Sequence, residues 1–236
     1  MRNWIKKGLA LVLTAAMVVG ISPLHGLAAD TDSAPGIASV PTVQSATAGE
    51  GSFTLTSEAR FFIVADSDPT GTDLATYVQT ANSEFAARGI PGDSVLPIVY
   101  GTDSMAKSGD IVVKVDGNAV TDSQGYTLDI TSDNITVTAN SAIGVLYGLH
   151  TVLQSMIANG TTVMAGTVSD YPDVPERSLY LDAGRVFYSV DMMKSFIHTL
   201  SWNKMNVLYL DFSNNNATRF FLDDMNVTVA GTDYDV

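Results

Sequence analysis

Two short apolar runs near the C-terminal end of the chain each finish in side chains able to do chemistry. Ser178-Leu-Tyr-Leu181 leads into Asp182 and Arg185, and Asn206-Val-Leu-Tyr-Leu210 leads into Asp211 and the polar stretch Ser213-Asn-Asn-Asn216. Short apolar runs of this kind read as strands buried on both faces, as in parallel sheets. In folds built from repeated βα units the functional side chains collect at the carboxyl ends of such strands. Asp182 and Arg185 are therefore the leading candidates for contact with a ligand. For Asp182 a simple strand-end cap is the competing reading.

The segment between the two runs has to position them. Ser189 can cap a helix, Asp191 falls in its first turn, and Met192, Met193, Phe196, Ile197 and Leu200 recur at helical spacing as its core face. His198 is off that stripe and reads as solvated. The pattern is strand, helix, strand, and it opens late in a chain of 236 residues. A closed barrel of eight such units takes at least roughly 200 residues, so the chain reads as the front part of a larger enzyme.

Upstream, the periodicity describes a different layer. Ala59 to Ala65 and Asp110 to Val115 are strands, Leu74 to Arg88 is an amphipathic helix, and Val95 to Tyr100 is an apolar run bounded by turn residues. Tyr126-Thr-Leu-Asp-Ile130 and Ile135-Thr-Val-Thr-Ala139 alternate apolar and polar residues around Thr131–Asn134, the clearest hairpin signal in the chain. A helix follows from about Ala142 to Ala158, capped by Asn140 or Ser141. Its Gly144 and Gly148 each cost about 1 kcal/mol relative to alanine; they make sense where that face packs tightly on a sheet. His150 beside the stripe reads as a structural histidine. Val163 to Val168 is a last strand, and Asp170 to Pro175 an extended linker. The expected fold class is an α+β domain, a small sheet with helices on one side, followed by the first β-α-β unit of an incomplete (β/α)8 barrel.

Residues 1–29 carry Arg2, Lys6 and Lys7 ahead of the apolar run Gly8 to Ile21 and small residues at Ala28 and Ala29. That is the pattern of a secretory signal peptide, which implies a bacterial secreted protein with no membrane attachment after cleavage. Residues 30–52, rich in Ser, Thr, Ala, Pro and Gly, read as a disordered linker. Without the leader, 9 of the 12 Lys and Arg remain against 25 Asp and Glu, so 9 − 25 = −16. So acidic a surface repels phosphate backbones and argues against a nucleic-acid partner. There is no cysteine. The histidines lack zinc spacing, no P-loop or dinucleotide fingerprint occurs, and no Gly-x-Ser-x-Gly elbow is present. No cofactor or metal is implied.

Glu176-Arg-Ser-Leu-Tyr-Leu-Asp-Ala-Gly-Arg-Val-Phe-Tyr188, followed by Ser201-Trp-Asn-Lys-Met-Asn-Val207, resembles the start of the catalytic barrel of family 20 glycoside hydrolases, the β-N-acetylhexosaminidases and lacto-N-biosidases. Gly125-Tyr-Thr-Leu-Asp-Ile, Ile135-Thr-Val-Thr-Ala and the stretch from Gly144 to Gln154 are similar to the α+β domain that precedes that barrel. The resemblance spans roughly Phe53 to Phe220 and implies four segments: a signal peptide (1–29), a linker (30–52), the family's N-terminal α+β domain (53–171) and the beginning of the catalytic domain (172–236). It also implies a glycan or glycoconjugate substrate bearing a terminal N-acetylhexosamine. Arg185 matches an arginine that hydrogen-bonds hydroxyls of the terminal sugar, a task that suits the fixed donor fork of a guanidinium. Asp182 matches an aspartate that orients it, and Arg177 a structural arginine.

The same resemblance implies substrate-assisted, retaining chemistry, in which the sugar's acetamido oxygen attacks the anomeric carbon while a glutamic acid protonates the leaving oxygen. That acid belongs to an Asp-Glu dipeptide on a later strand. The chain has four glutamates, Glu50, Glu58, Glu84 and Glu176, and no Asp-Glu dipeptide; Asp223-Asp224 reads as a solvated loop. Where many members carry a histidine and an Asp-Asp pair after the second strand, this chain has Asp211 and Asn214-Asn215, and Arg219 resembles a basic residue a little further on. The catalytic pair is expected to be missing, with the remaining barrel segment as a missing partner and the chain inactive alone. A non-catalytic secreted glycan-binding or accessory module is the alternative, and a secreted structural domain without a ligand a further one.

Overall fold

The computed structural model describes residues 36–67, 73–214, 217–218, 226–229 and 232–235. The leader expected over residues 1–29 lies outside them, as do Asn215, Asn216, Arg219 and Asp223-Asp224.

In chain order the principal elements are β1 (Ser45–Thr54), β2 (Phe61–Val64), α1 (Asp73–Ala87), β3 (Ile98–Gly101), β4 (Ile111–Val115), β5 (Tyr126–Ile130), β6 (Ile135–Ala139), α2 (Ala142–Asn159), β7 (Thr162–Asp170), β8 (Ser178–Asp182), α3 (Val190–Trp202) and β9 (Val207–Asp211). The first seven strands form one mixed sheet in the order β1-β7-β5-β6-β4-β2-β3. Strands β3, β2, β4 and β6 run parallel to their neighbours, and β6, β5, β7 and β1 pair antiparallel.

The expected hairpin is β5–β6, closed by Thr131 N–H donating to Asn134 O at 2.9 Å. Its alternation puts Tyr126, Leu128, Ile130, Ile135, Val137 and Ala139 on one buried face. Both α1 and α2 pack on that face. Leu74, Val78, Ala81 and Phe85 of α1 share a single core with Phe61, Ile63, Ile111 and Val113 and with the apolar stripe of α2. The opposite face carries only a small cluster around Phe62, Val64 and Val112.

Gly144 and Gly148 explain why α2 lies so close. A Cβ at Gly148 would sit 2.6 Å from Val137 Cγ1, and one at Gly144 2.7 Å from Gly125 O. Ser141 takes the N-cap position but donates its hydroxyl to Ser123 O at 2.7 Å rather than accepting from the helix. Asn140 instead holds the preceding loop through Val120 and Asp122.

Residues 30–52 differ from the linker expected there, over their described part. Residues 36–44 run along α2: Ala38 N–H donates to Ser155 Oγ (3.1 Å), Val40 N–H to Gln154 Oε1 (2.7 Å), and Asn159 Nδ2 to Gly36 O (2.9 Å). The chain then forms β1 along the edge strand β7. No alternation marked this strand because Phe53 is its one buried residue. Backbone pairing with β7, not an apolar face, holds it.

The strand-helix-strand reading of the C-terminal part is met by β8, α3 and β9. The strands pair in parallel from Ser178↔Val207 to Asp182↔Asp211. Ser189 caps α3, its Oγ accepting from Met192 N–H at 3.2 Å. The burial expected of this unit is only partly present. Leu181 and Leu200 are buried, whereas Tyr180, Tyr209, Met192 and Ile197 are about half exposed. Among the described residues nothing covers those faces.

Candidate functional site

The carboxyl ends of β8 and β9 bring the expected residues together. Register places Asp182 beside Asp211. Arg185 lies in the turn after β8; its backbone N–H donates to Asp182 Oδ1 at 3.0 Å, and its Nε is 3.1 Å from Asp182 Oδ2. Asp182 thus grips both the backbone and the side chain of the arginine, while that side chain remains 58% exposed. Gly184 N–H donates to Asp211 O at 2.9 Å, stitching the turn to the second strand.

Asp211 is itself held on two sides. Tyr180 OH donates to its Oδ2 at 2.5 Å and Ser213 N–H to its Oδ1 at 3.0 Å. These hydrogen bonds, with a smaller contribution from the charge of Arg185, keep the carboxyl below its ordinary pKa, while the same contact raises the Tyr180 phenol. The result is a solvent-facing rim with two carboxylates, one guanidinium and one aromatic hydroxyl.

Arg177 faces elsewhere. Its guanidinium donates to Gln124 Oε1 (2.7 Å), Tyr147 OH (3.2 Å), Val174 O (2.7 Å) and Lys204 O (2.7 Å), at the base of the β8–β9 pair. That is the structural role expected of it. His198 is exposed, as expected. His150 is fully buried, with Nε2 2.8 Å from Glu84 Oε2 and its ring 5.7 Å from that of Trp202. Among the described residues no group of three or more His, Cys, Asp or Glu stands ready to hold a metal, and no helix is long and apolar enough to cross a membrane.

Sequence reasoning missed a second cluster at the base of the same unit. Lys204, Asp170 and Tyr126 are all buried and mutually hydrogen-bonded. They border a cavity of ≈ 230 Å³. The sequence places Asp170 at the start of an extended linker and gives Lys204 no role of its own. The one local signal was a lysine, with no glycine, directly after a helix.

Parallel strands joined by a helix, with acidic and basic side chains on the carboxyl rim, define a unit of the kind that recurs in α/β enzymes acting on polar substrates. The family follows from comparison with known proteins. Residues 37–171 match the profile of "Glycosyl hydrolase family 20, domain 2", and residues 175–229 match "Glycosyl hydrolase family 20, catalytic domain". The chain belongs to glycoside hydrolase family 20.

It is 28% identical over 222 residues to a lacto-N-biosidase of Bifidobacterium bifidum, an alignment covering 86% of this chain and 18% of the relative. It is 33% identical over 102 residues to a β-N-acetylhexosaminidase of Cellulomonas fimi, covering 42% of this chain and 21% of the relative. The family 20 β-N-acetylhexosaminidase of Streptomyces coelicolor has a similar fold, with a TM-score of 0.62 at 24% identity, over 76% of this chain and 35% of that one. Alignments to three curated relatives cover only 12%, 17% and 21% of their lengths.

Proposed function

We propose that this chain is the N-terminal part of a secreted glycoside hydrolase that removes terminal β-linked N-acetylhexosamine, alone or within a disaccharide, by substrate-assisted, retaining hydrolysis. On this reading β8, α3 and β9 are the first strand, helix and second strand of a (β/α)8 barrel, and residues 53–171 form the domain that supports it. Arg185 binds hydroxyls of the terminal sugar, and Asp182 orients the guanidinium for that task. The observation that carries the reading is the β8–β9 rim itself: Asp182, Arg185 and Asp211 converge at the strand ends within the segment that matches the family's catalytic domain.

The chemistry needs an acid to protonate the leaving oxygen and a partner to steady the acetamido group. With no Asp-Glu dipeptide in its sequence, the chain as given binds but does not cleave. The test is direct. N-acetylglucosamine titrated into the isotopically labelled chain should shift the Arg185 Nε–H resonance, and Arg185→Ala should abolish the remaining shifts around β8. A chromogenic N-acetylglucosaminide should stay intact. Steady hydrolysis by the chain, or identical sugar-induced shifts in the arginine variant, would overturn the assignment.

A further inference from the structure

We propose that Lys204 is a positioning residue, a latch that fixes the register of β9 against the α+β layer and so sets Asp211 beside Asp182 and Arg185. Two independent features show that the lysine is held where a lysine is unfavourable.

The first is its backbone. Helix α3 ends in a paired closing motif: Met205 N–H donates to Leu200 O at 2.8 Å and Lys204 N–H to Ser201 O at 2.9 Å. The residue after the C-cap Asn203 must then be left-handed, and Lys204 has φ 56°. Glycine is the usual occupant of that position because it lacks the Cβ that makes left-handed backbone costly.

The second is its side chain, 8% exposed. The ammonium gives its three donors to three acceptors: Asp170 Oδ2 (2.9 Å), Tyr126 OH (2.8 Å) and Ser39 Oγ (3.1 Å). These come from the end of β7, the start of β5 and the segment along α2. Tyr126 OH donates on to Asp170 Oδ2 and meets Thr151 Oγ1, each at 2.6 Å. Burial lowers the ammonium's affinity for its proton, and the charge of Asp170 offsets this only in part. Buried ion pairs of this kind stabilise weakly; a better-attested use is to fix one register among several.

Register is what needs fixing here. Strand β9 begins three positions beyond Lys204 and has five residues. None of its five residues is fully buried, so apolar packing specifies its alignment poorly. A slip of one residue would turn Asp211 to the other face of the strand. Arg177 completes the grip, its Nε donating to Lys204 O at 2.7 Å.

The latch and a simple helix end predict opposite outcomes for Lys204→Gly. If the lysine only closes the helix, glycine relieves the left-handed backbone and leaves β9 unchanged or better protected. If it is a latch, amide exchange in β9 accelerates at least about tenfold relative to β5–β7, and the Arg185 Nε–H resonance moves although Arg185 lies at the far end of the strands. Lys204→Gly leaves Asp170 buried without its cation, so the double variant Lys204→Gly/Asp170→Asn is measured beside it. There the seven-stranded sheet should regain its protection while β9 stays fast and the Arg185 signal stays displaced. Protection of β9 and an Arg185 resonance both as in the parent chain, in the double variant, would overturn the proposal whether or not the single variant folds. The bearing of the latch on sugar binding rests on the proposed function, but these measurements contain no sugar, so failure of one reading leaves the other standing.

Discussion

Asp182 and Arg185 form a closed pair in which one carboxylate holds both ends of the arginine's local geometry: Oδ1 accepts the backbone N–H at 3.0 Å and Oδ2 faces Nε at 3.1 Å. The side chain that presents donors to solvent is therefore already oriented without a ligand, which reduces the ordering cost of binding.

Loss of that fork should be visible in catalysis. In a protein carrying a complete catalytic domain, Arg185→Ala is expected to lower kcat/KM on a chromogenic N-acetylglucosaminide by about tenfold to a hundredfold, the worth of one or two hydrogen bonds from a charged donor. Arg185→Lys should recover little, because an ammonium does not reproduce a planar fork. Unaltered kinetics in the alanine variant would remove Arg185 from the sugar site.

A second expectation concerns the neighbouring carboxylate. Tyr180 OH and Ser213 N–H hold the Asp211 carboxyl below its ordinary pKa. A carboxyl lower in the folded than in the unfolded state stabilises the fold above the unfolded value, about 3.9, and loses that contribution as pH falls through the folded value. Tyr180→Phe removes the larger hydrogen bond, so the Asp211 midpoint should move upward in a carbon-detected titration. In Asp211→Asn the raised Tyr180 phenol should fall back toward about 10. A stationary Asp211 midpoint would show that the 2.5 Å contact does not persist in solution.

The third expectation tests the close approach of α2. Alanine is the better helix former by about 1 kcal/mol, so Gly148→Ala would stabilise a free-standing helix. Here the new Cβ meets Val137 Cγ1 at 2.6 Å and Tyr126 Cδ2 at 3.1 Å. Overpacking of that kind costs about 1–3 kcal/mol and should outweigh the propensity gain. Chemical denaturation should show a lower midpoint in the variant; a higher one would mean that helix and sheet separate more easily than their packing implies.

Most of the fold was legible because its elements carry their own periodicity. The β5–β6 hairpin alternates, α2 has a stripe with two glycines at its contact face, and β8 and β9 are compact apolar runs ending in charge. Strand β1 was not legible, since its residues are largely exposed and its backbone pairing is supplied by a strand more than a hundred residues later in the chain. The candidate site was legible where it is local: Asp182 and Arg185 are three residues apart. The buried cluster was not, because Lys204 meets Asp170 across 34 residues and Tyr126 across 78. No pattern within a single element marks such a pairing.

The last expectation follows from the junction of the three helices. Glu84 on α1 lies 2.8 Å from His150 on α2, and the His150 ring lies 5.7 Å from that of Trp202 on α3. The Arg88 guanidinium stands over the Trp202 ring, 4.0 Å from its centroid. Burial pushes the Glu84 carboxyl up, but contact with His150 and the charges of Arg88 and His198 outweigh it, so the carboxyl sits below its ordinary value. Of the influences that lower it, the direct contact with His150 is the largest. The sign is that of a carboxylate favoured by folding: its contribution is complete above the unfolded value of about 4.3 and is lost as pH falls through the folded one. Glu84→Gln deletes this titration while keeping the shape of the side chain. Urea midpoints measured from neutral pH down to about pH 3 should therefore fall less steeply in the variant than in the parent chain. Parallel curves would mean that the pair contributes nothing to acid stability.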